Sequence, residues 1–304
     1  ALETGKLAAT DSFLCEREVP SDGSNKCSYK GVHCHTGYGH GDKGFGTVTP
    51  LNMTDALHVS CNVYFAHVGE ALSIEDFQGL ADTFGFGEPT GISPAGTRGI
   101  VEHSFGDLFT RKSLEGGRKF GEKDRMRAAN GLSVVQITPV QLARATAGLA
   151  TGYLPSVRIV DRVGAPGGEK PYFGDEAEKL NFSEQNFQVI REAMRGVAND
   201  PAGSGNHALS RGDLGFDVAM KTGSADLTSG DGTVRKHTWV IGWAPATDPK
   251  VIFTFFVRDT MATSHNSSTY LARQFLVRPE FRRWLFEEGA DIDPNFKPGP
   301  PLAD

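Results

Sequence analysis

Long apolar runs are missing from this 304-residue sequence. Its most apolar stretch, residues 251–257, falls far short of the roughly 18 residues a membrane-crossing helix needs, and reads instead as a buried strand. An excess of positive charge is missing as well. Lys and Arg number 31 against 37 Asp and Glu, a formal −6, which leaves no basic footprint for nucleic acid and no attraction to an anionic membrane. No initiator methionine or signal-peptide pattern opens the chain, and Ala1-Leu2-Glu3-Thr4-Gly5 reads as the middle of a helix. The expectation is therefore a piece of a longer protein, with any leader or anchor upstream. Internal repeats and heptads are absent, which excludes solenoids and coiled coils. What remains, 38% apolar and 22% charged residues, suffices for a domain with its own core.

Residues 10–50 are rich in Gly, Ser, Cys and His and lack periodicity, which predicts a long loop needing its own tie-down. Asn52 is a suitable N-cap for one helix over 53–72, where Met53, Ala56, Leu57, Val63, Tyr64 and Val68 recur at helical spacing. Ser73 and Asp76 resemble a capping box ahead of the stripe Ile74, Phe77, Leu80, Ala81 and Phe84, which stops at Gly85. Residues 85–130 are glycine-rich and polar and read as loops bordering a cleft. Thr138-Pro139 with Gln141 starts a helix to about Thr151, and Ser183 starts another through Phe187, Ile190, Met194 and Val197. Short β-branched and aromatic runs at 216–220, 237–243 and 251–258 predict consecutive antiparallel strands. A helical segment over 268–288, interrupted at Pro279, precedes a Pro-rich tail whose last residues, 294–304, read as loose. The fold class is α+β, with one domain over 1–287 and a tail over 288–304.

Two motifs carry chemistry. Lys221-Thr222-Gly223-Ser224 lies at the end of a predicted strand, where an edge offers backbone groups to an extended peptide. The lysine adds positive potential there, and the hydroxyls of Thr222 and Ser224 sit at the alternation that grips a carboxylate. Alone, the same residues describe an ordinary strand with a surface lysine and a glycine bulge. Ser60-Cys61-Asn62 lies about 160 residues earlier, inside the helix predicted over 53–72. By itself it is no more than helix-surface polarity.

Order and flanks give the pair its meaning. Residues 56–65, Ala-Leu-His-Val-Ser-Cys-Asn-Val-Tyr-Phe, closely resemble the second motif of class B penicillin-binding proteins, the peptidoglycan D,D-transpeptidases. Asn130-Gly131 with the run 137–143, and His237-Thr238-Trp239 with the following strand to Pro245, resemble further segments of that family in the same order. The resemblance runs from residue 1 to about 287 and is nearest the elongation-type branch. It implies the transpeptidase fold shared with serine β-lactamases, an antiparallel sheet with a helical region. It also implies roles: Ser60 relays a proton, Asn62 holds the donor peptide's amide, and Lys221 sets the potential beside Ser60. Thr222, Gly223 and Ser224 would hold the terminal carboxylate of a D-Ala-D-Ala stem peptide, or of a β-lactam, with the Ser224 N–H as half of an oxyanion hole.

The sequence departs from the family in one respect: it contains no Ser-x-x-Lys, the element that carries the acylated serine and its activating lysine. In relatives that element precedes a segment like residues 1–5 by a few positions, so the nucleophile is expected just upstream and this chain is expected to be inactive alone. The rival reading is a binding module of the same fold, which would hold stem peptide or a cell-wall synthesis partner without chemistry.

Cys15, Cys27, Cys34 and Cys61, with His33, His35 and His40, are dense enough for zinc, although no Cys-x-x-Cys occurs. The family resemblance adds that some elongation-type relatives hold zinc near the second motif through the equivalent of Cys61. On that reading the ligands are Cys15, Cys34, His40 and Cys61, in a structural site, with no cofactor required for the chemistry. A Cys15–Cys34 disulfide or free thiols remain open, since the family works outside the cytoplasmic membrane, the full-length protein being membrane-anchored. A zinc hydrolase on this loop lacks an acidic motif to act as base. Expected partners are stem peptides, β-lactams and other cell-wall synthesis proteins.

Overall fold

The computed structural model describes all residues except 16–26, 36–39, 41–48, 93–105, 107, 109–115, 118, 133–134, 161, 172–175, 229–233, 261–266, 294 and 299–304. Much of the Cys- and His-rich stretch and part of 85–130 therefore lie outside the described residues.

At the start, residues 1–7 make turns rather than the helix expected there, with single bonds such as Gly5 N–H to the Leu2 carbonyl, 3.1 Å. One hydrogen bond does not offset fixing the dihedrals of a first helical turn, so such turns do not propagate. A short hairpin follows, β1 (Ser28–Tyr29) against β2 (Val32–His33). Instead of one helix over 53–72 there are two, α1 (Met53–His58) and α2 (Asn62–Ala71). The break is a Schellman turn with serine where glycine is usual. Ser60 takes φ +57°, its N–H reaches the Leu57 carbonyl at 3.3 Å, and the Cys61 N–H reaches the Ala56 carbonyl at 2.8 Å. Cys61 then caps α2, its Sγ accepting from the Tyr64 N–H at 3.5 Å.

The helix α3 (Ile74–Phe84) has the expected capping box at Ser73 and stops at Gly85, left-handed at φ +67°. Of its stripe, Leu80 is 41% exposed, because it lies on the flank turned away from the Phe77, Ala81 and Phe84 cluster. Within the stretch expected to be loop, residues 122–128 form α4 (Glu122–Ala128), which packs Met126 and Ala128 inward. Thr138 caps α5 (Pro139–Thr151) reciprocally with Gln141. Two small ladders follow, β3 (Tyr153–Leu154) with β6 (Glu178–Lys179) and β4 (Arg162–Val163) with β5 (Lys170–Pro171). Then come α6 (Glu184–Asn199), capped by Ser183, and the single turns α7 (Asn206–Leu209) and α8 (Arg211–Leu214).

The main sheet is antiparallel in the order β7 (Ala219–Thr228), β8 (Val234–Ala244), β9 (Val251–Thr260). The strand expected at 216–220 thus begins later and runs on through the Lys-Thr-Gly motif, whose residues pair as Lys221↔Ile241, Thr222↔Val240 and Gly223↔Trp239. Pairing with apolar β8 overrides the weak strand preference of glycine and aspartate in this stretch. Pro279 divides α9 (Ser268–Leu276) from α10 (Pro279–Glu287), as expected.

Alternation along the strands covers both faces of the sheet. Met220, Val240, Ala244 and Phe253 join a core with Leu209, Leu214, Ala272, Leu276 and Leu285, while Ala219 and Trp243 pack against Ala150 and Met194. The architecture is helix, sheet, helix, consistent with the α+β expectation. Past α10, Ala290, Ile292 and Phe296 pack back onto the domain, Phe296 alone of these lying in the stretch expected to be loose. Ala290 and Ile292 enter the core, and the Phe296 ring lies 5.2 Å from the buried Arg282 guanidinium, which buries apolar area a free tail would expose.

Candidate active site

Ser60 and Lys221, 161 residues apart, meet: Lys221 Nζ donates to Ser60 Oγ at 2.6 Å and to the Thr222 carbonyl at 2.8 Å. The left-handed turn after α1 aims the serine, and the first part of β7 aims the lysine. Burial of Lys221 pushes its pKa down to about 8. Desolvation disfavours the ammonium, so near neutral pH the amine lies close to the point where it can take a proton from a hydroxyl as well as give one.

Asn62 opens α2, two residues on. Its Nδ2 donates to the His33 carbonyl at 3.0 Å, which ties it to β2, and its own carbonyl accepts from Asn130 Nδ2 at 3.2 Å. Asn130 also donates to the Met126 carbonyl at 3.0 Å, so the end of α4 braces the start of α2. Thr222 Oγ1 lies 2.9 Å from Ser204 Oγ. Gly223 and Ser224 continue β7, which among the described strands pairs only with β8 and so presents an edge. From sequence, His33 stood only among the zinc candidates and Asn130 only in a family-like segment, while Ser204 was not singled out; the glycines flanking it are the signal of a close approach there. A cavity of about 390 Å³ lined by Lys6, Glu70, Ser73 and Arg125 shares no residue with this constellation.

Beside it, Cys15, Cys34, His40 and Cys61 are all buried, with their donor atoms within 4.8 Å of one another. Cys34 Sγ lies 3.1 Å from His40 Nε2. Cys15, Cys34 and Cys61 stand as thiols, unbridged. Hydrogen bonds from Cys15 and then Cys61 hold the Cys34 thiol far below its usual range, and the bond to Cys34 pushes Cys15 far above it. Cys61 is pulled down by its bond with Cys15, but the bond with Cys34, burial and the Cys34 charge outweigh this and push it up to about 12. Three thiolates this close repel one another unless a cation offsets their charge. Tetrahedral zinc with Zn–S near 2.3 Å sets its ligand atoms about 3.8 Å apart, which this donor set matches in type and spacing.

The sequence profile of the penicillin binding protein transpeptidase domain matches residues 26–276. Peptidoglycan D,D-transpeptidase MrdA of Acinetobacter baumannii is 29% identical over 251 residues, covering 77% of this chain and 34% of that protein. Against the curated relatives it matches, the chain spans 34% to 39% of their length for the first three. Penicillin binding protein 3 of Mycobacterium tuberculosis, solved with aztreonam, superposes with a TM-score of 0.69 at 20% identity, over 99% of this chain and 61% of that one. The complex of penicillin-binding protein PBP2 with MreC from Helicobacter pylori gives 0.64 at 20% identity, over 95% and 49%. These likenesses establish the fold, and the profile establishes the lineage: the chain belongs to the penicillin binding protein transpeptidase domain family.

Proposed function

We propose that this chain forms the greater part of the transpeptidase domain of a peptidoglycan D,D-transpeptidase, one that cross-links D-Ala-D-Ala stem peptides by serine acyl transfer outside the cytoplasmic membrane. The Lys221–Ser60 contact of 2.6 Å carries the reading, because two separate motifs of the family converge in it. Ser60 passes a proton to the leaving amine and Lys221 sets its potential. Asn62 steadies the donor peptide through its remaining amide hydrogen. Thr222, Gly223 and Ser224 receive the terminal carboxylate along the edge of β7, with the Ser224 N–H facing the developing oxyanion.

The nucleophile belongs to a Ser-x-x-Lys that these 304 residues do not contain, so the chain alone is inactive. The relative from M. tuberculosis was solved with aztreonam and that from H. pylori with MreC, which supports β-lactams as ligands and a cell-wall protein as partner here. No helix among the described residues is long and apolar enough to cross a membrane, and the anchor of the whole protein lies outside them on this reading. Cys15, Cys34, His40 and Cys61 would hold a structural zinc, which supplies charge neutralisation and a cross-link but no step of the reaction.

Mass spectrometry after incubation with penicillin tests the proposal. The 304-residue chain should stay unlabelled, and a longer protein that includes a Ser-x-x-Lys should gain one stable adduct at that serine. A stable adduct on any serine within residues 1–304, or a longer protein that carries the motif and stays unlabelled, would falsify it.

A further inference from the structure

Between α6 and β7 lies a residue that neither motif assigns. Gly203, Ser204 and Gly205 pass through a gap with no room for side chains on either glycine. A Cβ on Gly203 would sit 2.4 Å from the Val197 carbonyl oxygen and 2.5 Å from that of Gly196, and one on Gly205 would sit 1.5 Å from Met220 Cε. Ser204, fixed between them, reaches two partners at once. Its N–H donates to the His58 carbonyl at 2.9 Å, and its hydroxyl lies 2.9 Å from Thr222 Oγ1. His58 ends α1, two residues before Ser60, and Thr222 follows Lys221. One short segment therefore ties the element that aims Ser60 to the strand that aims Lys221.

The direction of the hydroxyl pair matters for what Thr222 can bind. Each hydroxyl has one proton and two lone pairs, and an ionised carboxylate only accepts. If Thr222 gives its proton to Ser204, it turns lone pairs toward an incoming carboxylate and repels it. With Ser204 as donor, the Thr222 proton is left for the carboxylate, and the two bonds in series polarise one another. Lys221 Nζ bonds Ser60 Oγ and the Thr222 carbonyl rather than Thr222 Oγ1.

We infer that Ser204 is a positioning residue for carboxylate recognition: its hydroxyl donates to Thr222 and turns the Thr222 proton toward the C-terminal carboxylate of the bound peptide. The inference rests on the reading of β7 as the carboxylate site, and its test separates the two. Saturation-transfer NMR on the full chain would compare an N-acyl-D-Ala-D-Ala dipeptide with its C-terminal amide. Wild type should bind the acid more tightly than the amide. Ser204→Ala should lose about 3- to 10-fold in affinity for the acid, the scale of one net hydrogen bond, with the amide unchanged. Ser204→Thr, which keeps the hydroxyl, should restore the preference. Should the alanine variant fail to fold, Ser204→Cys keeps the volume with a weak donor and should show the same acid-selective loss. A Ser204→Ala or Ser204→Cys protein that keeps the wild-type preference overturns the inference alone, as does an equal loss for both probes. A wild-type chain without any preference for the acid overturns the carboxylate site itself and the inference with it.

Discussion

Lys221 offers a test that needs no substrate. Burial lowers its pKa from the ordinary 10.5 to about 8. The unfolded chain holds that proton up to about 10.5, so between pH 8 and 10.5 unfolding takes up a proton and rising pH favours the folded state. Below pH 8 both states are protonated and the strain of burying the ammonium is constant. The gain is about 1.4 kcal/mol for each pH unit of the window, hence about 3 kcal/mol in all as an upper value. Lys221→Met removes the titration along with two donor bonds, whose loss is a fixed offset. Urea unfolding of both proteins at half-unit steps from pH 7 to 10.5 should therefore show wild type gaining on the variant through the window, and level with a constant difference below it. Subtracting the variant cancels tyrosine and cysteine titration common to both. A difference that stays flat, or falls as pH rises, refutes a buried, proton-poor lysine at this position.

Other outcomes follow from single contacts. Because Ser60 sits at φ +57°, Ser60→Gly should be more stable than Ser60→Ala by about 1 kcal/mol in urea melts, both lacking the hydroxyl; an alanine variant that matches the glycine one contradicts the strained turn. A Cβ on Gly69 would lie 2.5 Å from the Arg125 carbonyl oxygen, so Gly69→Ala should force α2 and α4 apart, cost about 1–3 kcal/mol, and shift the Asn62 amide resonance through Asn130; unchanged melting speaks against the close packing. Undialysed protein should carry about one zinc with Zn–S near 2.3 Å by X-ray absorption, retained in Cys27→Ser and lost in Cys61→Ser, and absence of metal from freshly purified protein counts against the site.

What was legible in the sequence followed from signals that are local. Ser73 with Asp76, Thr138 with Gln141, and Ser183 each marked a helix start, because capping is settled within four residues and the apolar period behind each cap agreed with it. The turn at Ser60 was hidden for the opposite reason. A left-handed serine carries no glycine to announce it, and Cys61 restarts a helix at once, so the apolar spacing runs unbroken through the junction. The helix α4 escaped notice because seven residues with five charges and one methionine give too little periodicity to see. The extent of β7 was set by β8 rather than by its own residues. In the site, the two motifs announced Ser60, Asn62 and Lys221 by resemblance, and the four metal-binding candidates were named before their side chains were seen to converge. Ser204 could not be found this way, since Thr222 lies 18 residues and two short helices away and His58 lies far earlier, at the end of α1.

The edge of β7 that no described strand covers has a bearing on how the protein behaves in bulk. An unpaired strand edge is a template for any other extended chain, including another copy's β7, and edges of this kind drive self-association unless something interrupts them. Here Asp226 places charge along the strand and Gly223 interrupts its row of side chains, which disfavours a flat, in-register partner. The features that would admit one short peptide would thus also disfavour edge-to-edge pairing between copies of the chain.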